Sequence, residues 1–282
     1  MKKLLIGLAV LLALALIGGL SLPAILKAQG LHPDYEGPSY SLPGKRALIV
    51  TTSQSVLSKP GETGGKATGV FASELSVPYY DFLDAGMEVD VASVRGGAIP
   101  IDPDSYRFMV ITEADKRSKE DPVFQEAVTN SLLVDDVDFT DYDIIFLSGG
   151  WGAAYDLGQS DVLAAKIGEA YQNSDAVIGG VCHGPLGLIN ARDENGELIV
   201  KGRRMTGVTD KQITELGIDF TPLHPETALR EAGVVFEANT ARRDMFATHT
   251  VVDDEGRFVT GQNQNAGHVT AHEMMRLVAE RA

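Results

Sequence analysis

The sequence predicts an α/β domain, an open, doubly wound and mostly parallel sheet covered by helices on both faces. Three observations predict it. Continuous apolar runs of strand length recur along the chain, stretches of helical period separate them, and glycine-rich turns follow several of the runs. In a sheet of this kind the functional residues collect at the carboxyl ends of the strands.

The amino end does not belong to that pattern. From Leu4 to Leu26 no charged residue occurs, after the basic pair Lys2-Lys3. As a helix these 23 residues span about 34 Å, enough to cross a bilayer core. Residues 1–28 therefore read as an uncleaved signal anchor, a transmembrane helix. A cleaved secretory signal is the alternative, for which the apolar run is long and Leu26-Lys27-Ala28 is a poor cleavage site. The basic start assigns the amino end to the cytoplasmic side of a bacterial-type membrane. The expectation is a single-pass protein whose domain lies on the extracytoplasmic side. Residues 29–44, with Pro33, Gly37, Pro38, Pro43 and Gly44, read as a linker, and 45–282 as the domain.

Within the domain, residues 47–51 form the first predicted strand, and a polar, glycine-rich loop runs on to Gly69. A helix follows over 70–83 despite Pro78, then a strand over 87–93. An irregular stretch leads to a polar helix near 119–131 and a third strand over 142–148. A helix over 162–171 precedes a buried strand at 176–181. Residues 248–252 and 257–260, joined by Asp253-Asp-Glu-Gly256, read as a hairpin, and a last helix covers about 266–279.

Composition narrows the function. Hydrophobic residues make up 44% of the chain and charged residues 22%, values of a chain with a real core. Lys2, Lys3 and Lys27 are the only charges in residues 1–28, so the net −15 becomes −18 for the remainder. Such a surface repels phosphate backbones, which argues against a nucleic-acid partner. With Cys182 as its single cysteine the chain forms no internal disulfide, and no Cys/His cluster has zinc-site spacing. Cys182 is then either a small buried residue or a reactive thiol.

Three features at strand ends bear on that choice. Gly179-Gly-Val-Cys-His-Gly-Pro185 runs a small apolar strand into Cys182 and on into a helical pattern, the layout of a nucleophile elbow. A helix amino terminus and a charged His183 would both favour the thiolate. A buried cysteine at a tight turn is the plainer reading, and the flanking glycines and adjacent histidine weigh against it. Ser148-Gly-Gly-Trp-Gly152 follows the third strand, where Gly149 and Gly150 can aim backbone N–H groups at an oxyanion. Glu74, near the start of the helix after the first strand, can meet Cys182 across the crevice and exchange a proton there. A solvated acid in a first helical turn is the alternative for Glu74.

Together these residues resemble the DJ-one/PfpI superfamily, which shares the class I glutamine amidotransferase-like fold, and within it the glyoxalase III and chaperone branch. The resemblance rests on Glu74, Gly149-Gly150, Gly180-Val-Cys-His-Gly-Pro185, Met205-Thr-Gly207 and the run Phe258–Asn263, and covers roughly residues 45–280. It implies a flavodoxin-like three-layer sandwich, in relatives often a homodimer. It also implies a stress-response enzyme whose chemistry needs no cofactor. Cys182 would be the nucleophile, Glu74 its acid/base partner and His183 the adjacent base. The implied substrate is a small reactive aldehyde such as methylglyoxal, with glyoxalase III-like lyase or deglycase-like activity. Trp151 stands where many relatives carry histidine. Gln212 falls at or beside the place of the acid that completes a Cys-His-acid triad in one branch, with Asp210 and Glu215 as the nearest acids out of register.

Other readings stay open on the sequence. His224-Pro225-Glu226 matches the His-Pro-Glu run of class I glutamine amidotransferases, which suggests an amidase or peptidase, a hydrolase. Pro225-Glu226 is equally a helix start. A non-enzymatic chaperone or redox sensor would also use a reactive thiol. His268 and His272 are spaced i, i+4 on the last helix and His249 lies in a predicted strand. No third ligand for a metal is in view, and solvated or capping histidines are the expectation.

Overall fold

The computed structural model describes Gly19 and residues 21–281. A short helix α1 covers 21–28. Strand β1 (Arg46–Thr51) is followed by the small hairpin β2 (Val56–Ser58) and β3 (Gly65–Ala67), then helix α2 (Ala72–Asp84) and strand β4 (Glu88–Ser93). Helices α3 (Glu113–Glu120) and α4 (Pro122–Thr129) lead to strands β5 (Leu132–Leu133) and β6 (Ile144–Leu147). Next come helices α5 (Ala153–Asp156) and α6 (Asp161–Asn173), and strands β7 (Val177–Val181) and β8 (Arg204–Met205). The chain closes with α7 (Asp210–Leu216), α8 (Pro225–Glu231), β9 (Val235–Phe236), β10 (Thr250–Val252), β11 (Phe258–Gly261) and α9 (Gly267–Arg281).

Seven strands form one sheet in the order β10-β11-β7-β6-β1-β4-β5. All neighbours pair in parallel except β10 against β11. Because successive side chains alternate across a strand, each central strand feeds two cores. Leu48, Val50, Ile145, Leu147 and Ile178 enter one, with α6 and α8. Ala47, Ile49, Ile144, Phe146 and Val177 enter the other, with α2 and α9. Both faces are covered, which is why these strands read as unbroken apolar runs.

The predicted strands and helices are present with shifts at their ends, and the polar helix expected near 119–131 is instead two helices. Asp121 ends α3 and its carboxylate caps α4, accepting from the amides of Val123 and Phe124, while Pro122 fills the first position of α4. Pro78 is accommodated inside α2. The β2–β3 hairpin and the β8–β9 pair lie where the sequence showed only polar loop and short runs.

The transmembrane helix is not borne out. Among the described residues no helix is long and apolar enough to cross a membrane, and most of the segment assigned to it, residues 1–18 and Leu20, lies outside them. The expected single-pass, extracytoplasmic placement falls with it. Residues 29–44 form no regular element but run along the domain. Leu31 and Leu42 are buried, the Leu42 amide donates to the Ala85 carbonyl (2.7 Å), and Tyr35 stacks on His272 of α9.

Asp253 fixes the antiparallel edge. Its side chain is fully buried, accepts from the Arg257 and Phe258 amides (2.7 and 2.8 Å) and pairs with Arg203 at 2.7 Å. Asp253→Ala removes both turn bonds and leaves a mostly buried guanidinium short of one partner. The expected cost is about 3 kcal/mol, a fall of roughly 6–12 °C in thermal midpoint for a domain of this size. A midpoint within about 2 °C of the parent would refute this role for Asp253.

Candidate active site

Strand β7 ends against two partners, β6 and β11, and the chain turns sharply at the next residue. Cys182 takes φ of 60°, a left-handed conformation that costs a non-glycine residue of order 1–3 kcal/mol and persists only where its surroundings enforce it. They do so here through the backbone. The Cys182 amide donates to the Gly261 carbonyl at 3.0 Å, and the Cys182 carbonyl accepts from the Val208 amide at 3.1 Å. Thr206, whose amide donates to the Thr260 hydroxyl at 2.8 Å, ties the segment before Val208 to β11. The expected elbow is present. A short 3-10 turn, Gly184–Leu188, follows it where an α-helix was expected.

The glycine turn after β6 brings the second element in. A Cβ on Gly149 would lie 2.5 Å from Glu74 Oε2 and 2.7 Å from the His183 amide nitrogen. One on Gly150, which has φ of 100°, would lie 2.4 Å from the Phe71 amide nitrogen. Side chains at these positions would push the elbow, the turn and α2 apart. The Ser148 hydroxyl then pins the first turn of α2 by donating to the Glu74 carbonyl at 2.8 Å. Glu74 is thereby held in the crevice at 1% exposure, with Cys182 at 6% and His183 at 2%.

Burial sets the charges. It pushes the Glu74 carboxyl up to about 8, against the opposing pull of the Cys182 thiol and the Gly149 amide. Oε2 of Glu74 nonetheless has no hydrogen-bond partner of ordinary geometry among the described residues. Burial, with the Glu74 charge added to it, also raises the Cys182 thiol well above its ordinary value. The Gly150 and His183 amides act on the sulfur in the opposite sense. His183 is pushed down to about 3 by burial and by its neighbour His224. The expected charged histidine and helix-stabilised thiolate are therefore replaced by a neutral resting set. Cys182 Sγ lies 3.3 Å from His183 Nδ1, and His183 Nε2, also buried, has no partner among the described residues.

The remaining candidates divide. Trp151 is half-buried with its ring 4.9 Å from that of His183, tilted by 55°. Gln212 is buried and accepts from Asn263 Nδ2 at 3.2 Å. Asp210 accepts from the Thr227 hydroxyl and Glu215 from the Asp244 amide, so neither serves His183. Ser148 and the Val208 amide were missed as positioning groups. The Met205–Gly207 and Phe258–Asn263 runs were the signal for the second of these, since they flank the elbow from both sides.

A sequence profile of the DJ-1/PfpI family matches residues 66–276. Glyoxalase 3 of Candida albicans is 32% identical over 219 residues, 75% of this chain and 90% of the relative. Glutathione-independent glyoxalase HSP31 of Saccharomyces cerevisiae is 28% identical over 235 residues, 80% and 95% of the two chains. The crystal structure of glyoxalase III from Candida albicans superposes with a TM-score of 0.72 at 28% identity, covering 83% of this chain and 97% of that one. With a sheet of this order, a strained cysteine at the elbow after β7 and a buried glutamate facing it, the chain belongs to the DJ-1/PfpI family.

Proposed function

We propose that the chain is a glutathione-independent glyoxalase that converts methylglyoxal and water to the corresponding 2-hydroxy acid, with Cys182 as nucleophile and Glu74 as acid/base. The observation that carries this reading is the closed cluster of Cys182, His183 and Glu74, with sulfur 3.3 Å from an imidazole nitrogen and a carboxyl pushed up to about 8 by burial. At 6% exposure Cys182 admits a two- or three-carbon aldehyde far more readily than a peptide or a protein amide. The relatives named as glyoxalases support the same substrate class.

The chemistry follows from the resting charges. The thiol is protonated, so attack on the aldehyde carbon requires a base in contact with sulfur, and His183 Nδ1 is that base. The C–S bond forms as the proton leaves sulfur. An imidazolium is unfavourable in so buried a place, so the proton passes on to the former carbonyl oxygen and completes a hemithioacetal. The Gly150 and His183 amides directed at sulfur are the nearest donors for that oxygen while it carries charge. Ionised Glu74 then takes the proton from the carbon bonded to sulfur and returns it to the neighbouring carbon, while the hydroxyl proton passes to the neighbouring oxygen, leaving a thioester of the 2-hydroxy acid. Water cleaves the thioester, releasing the hydroxy acid and restoring the thiol. Trp151 supplies an apolar wall against His183.

In this scheme His183 works without a carboxylate behind it, because Gln212 is engaged with Asn263. Catalysis leans on Glu74 instead. His224 is the residue an amidotransferase-like reading needs, and it lies close enough to His183 to lower its basicity, with Nε2 buried and unpartnered among the described residues.

Three outcomes are expected. Because the Glu74 carboxyl is raised to about 8 and acts as a base, kcat/KM for methylglyoxal should rise about tenfold per pH unit up to about 8 and then level. Glu74→Gln should abolish that inflection and lower kcat by roughly 10²–10⁴-fold. A rate that falls through pH 8 would reverse the role of Glu74. Separate His183→Ala and His224→Ala variants, assayed for methylglyoxal loss and amide hydrolysis, should lose aldehyde turnover with His183 alone. Activity lost only with His224→Ala would make the protein an amidase-type hydrolase.

A further inference from the structure

Helix α9 places His268 and His272 one turn apart on the same face, and that face packs on α2. The helices approach closely there, since a Cβ on Gly267 would lie 3.4 Å from Val77 of α2. One turn after Val77, α2 presents Asp81. His268 Nδ1 lies 2.8 and 3.1 Å from the two Asp81 carboxylate oxygens, and His272 Nε2 lies 3.8 Å from Oδ1. One ligating atom from each of the three residues lies within 4.8 Å of the others. Ligand atoms on a tetrahedral zinc ion with bonds near 2.0–2.2 Å are about 3.3–3.6 Å apart, so small side-chain movements would close the set.

We propose that Asp81, His268 and His272 form a binding site for a divalent cation of the zinc type, joining α2 to α9 away from the Cys182 crevice. His268 is close enough to hydrogen-bond Asp81, whereas His272 stands at 3.8 Å, within ion-pair range but beyond a hydrogen bond. The Nδ1 of His272 faces the Pro38 carbonyl at 3.2 Å, and a carbonyl only accepts, so Nδ1 carries the proton. In the neutral ring Nε2 then holds the free lone pair, directed at Asp81 yet too far for a hydrogen bond to it. Metal-ligating histidines are oriented in this way, with the second nitrogen held by a carbonyl. Tyr35, stacked on the His272 ring with centroids 3.7 Å apart, fixes its plane. The side chains of Asp81 and His272 are only 14% and 13% exposed, so a cation there would exchange much of its water for protein ligands. Two imidazoles and one carboxylate suit zinc and related ions and leave a coordination position for water. His249, the other histidine singled out in the sequence, faces Glu237 instead.

The test is calorimetric titration of the untagged, chelator-stripped full chain with zinc chloride. One equivalent should bind with a Kd of about 1 µM or tighter, raise the thermal midpoint, and be released by EDTA. Cobalt(II) in its place should give the visible absorption of a tetrahedral nitrogen–oxygen site. Asp81→Asn and His272→Gln should each weaken zinc binding beyond the roughly 10–100-fold typical of losing an outer partner. Cys182 reactivity and circular dichroism should stay unchanged in both, which separates a lost ligand from a lost fold. Absence of saturable binding by the parent would overturn the proposal. So would Asp81→Asn binding zinc as the parent does, since the histidine pair would then be chelating unaided.

Discussion

The structure turns on burying one carboxyl group against one thiol. Glu74 and Cys182 come from opposite ends of the βαβ series, and neither is stable in its charged form in that crevice. Everything near them keeps two mutually unfavourable groups together. Gly149 and Gly150 supply the close approach, Ser148 pins the first turn of α2, and β11 holds the elbow through the Gly261 carbonyl. The left-handed backbone at Cys182 and the unpartnered Glu74 oxygen are costs the two cores offset. A carboxyl raised from 4.5 to about 8 gives up native-state stability as pH climbs through that window, because the folded chain holds a proton the unfolded chain releases. That is the sign expected of a group kept for chemistry rather than for stability.

How much of this was legible in the sequence depended on the range of the interaction involved. The central strands announce themselves because both faces are buried, so Ala47 to Val50 and Ile144 to Leu147 are apolar without interruption. The elbow was legible because its glycines sit beside Cys182 in the chain. The pairing of Glu74 with Cys182 was legible as an expectation of topology, since both follow the carboxyl ends of parallel strands of one sheet, β1 and β7. The charge state was not. A histidine next to a cysteine suggests an ion pair, but the surroundings of His183 are supplied by Trp151, His224 and the sheet, all distant in sequence. Burial made it neutral. Strand pairs only two or three residues long, such as β2 with β3 and β8 with β9, carry no periodicity from which to be read.

The amino end shows the opposite failure, a local pattern trusted too far. Its apolar composition and basic start are those of a membrane anchor, yet among the described residues no helix meets that requirement. What the structure shows instead is a segment from Leu31 to Leu42 that buries leucines at both ends and places Tyr35 and the Pro38 carbonyl against His272. A composition rich in proline and glycine reads as a linker, but the same residues suit an extended strap whose few side chains and carbonyls are each used. The His268–His272 pair was likewise visible at its i, i+4 spacing, whereas Asp81 is 187 residues away from His268 in sequence and only helix packing brings it there.

Among the described residues His183 Nε2 has no hydrogen-bond partner, and that constrains the mechanism proposed above. A carboxylate behind an imidazole orients it and stabilises the imidazolium formed on proton uptake. With Gln212 turned toward Asn263, His183 has neither service from that position, and its buried ring resists protonation. Such a histidine can relay a proton between two bound atoms but cannot store one. The group that can store a proton here is Glu74, whose carboxyl burial pushes up to about 8. Isomerising a hemithioacetal requires a base that removes a proton from one carbon and keeps it long enough to deliver it to the next. Hydrolysing an amide instead requires an acid that protonates a departing nitrogen and a water activated on the far side. One carboxyl able to hold a proton beside one relaying imidazole in a nearly closed crevice suits the first requirement, and an imidazole that resists protonation suits the second less well.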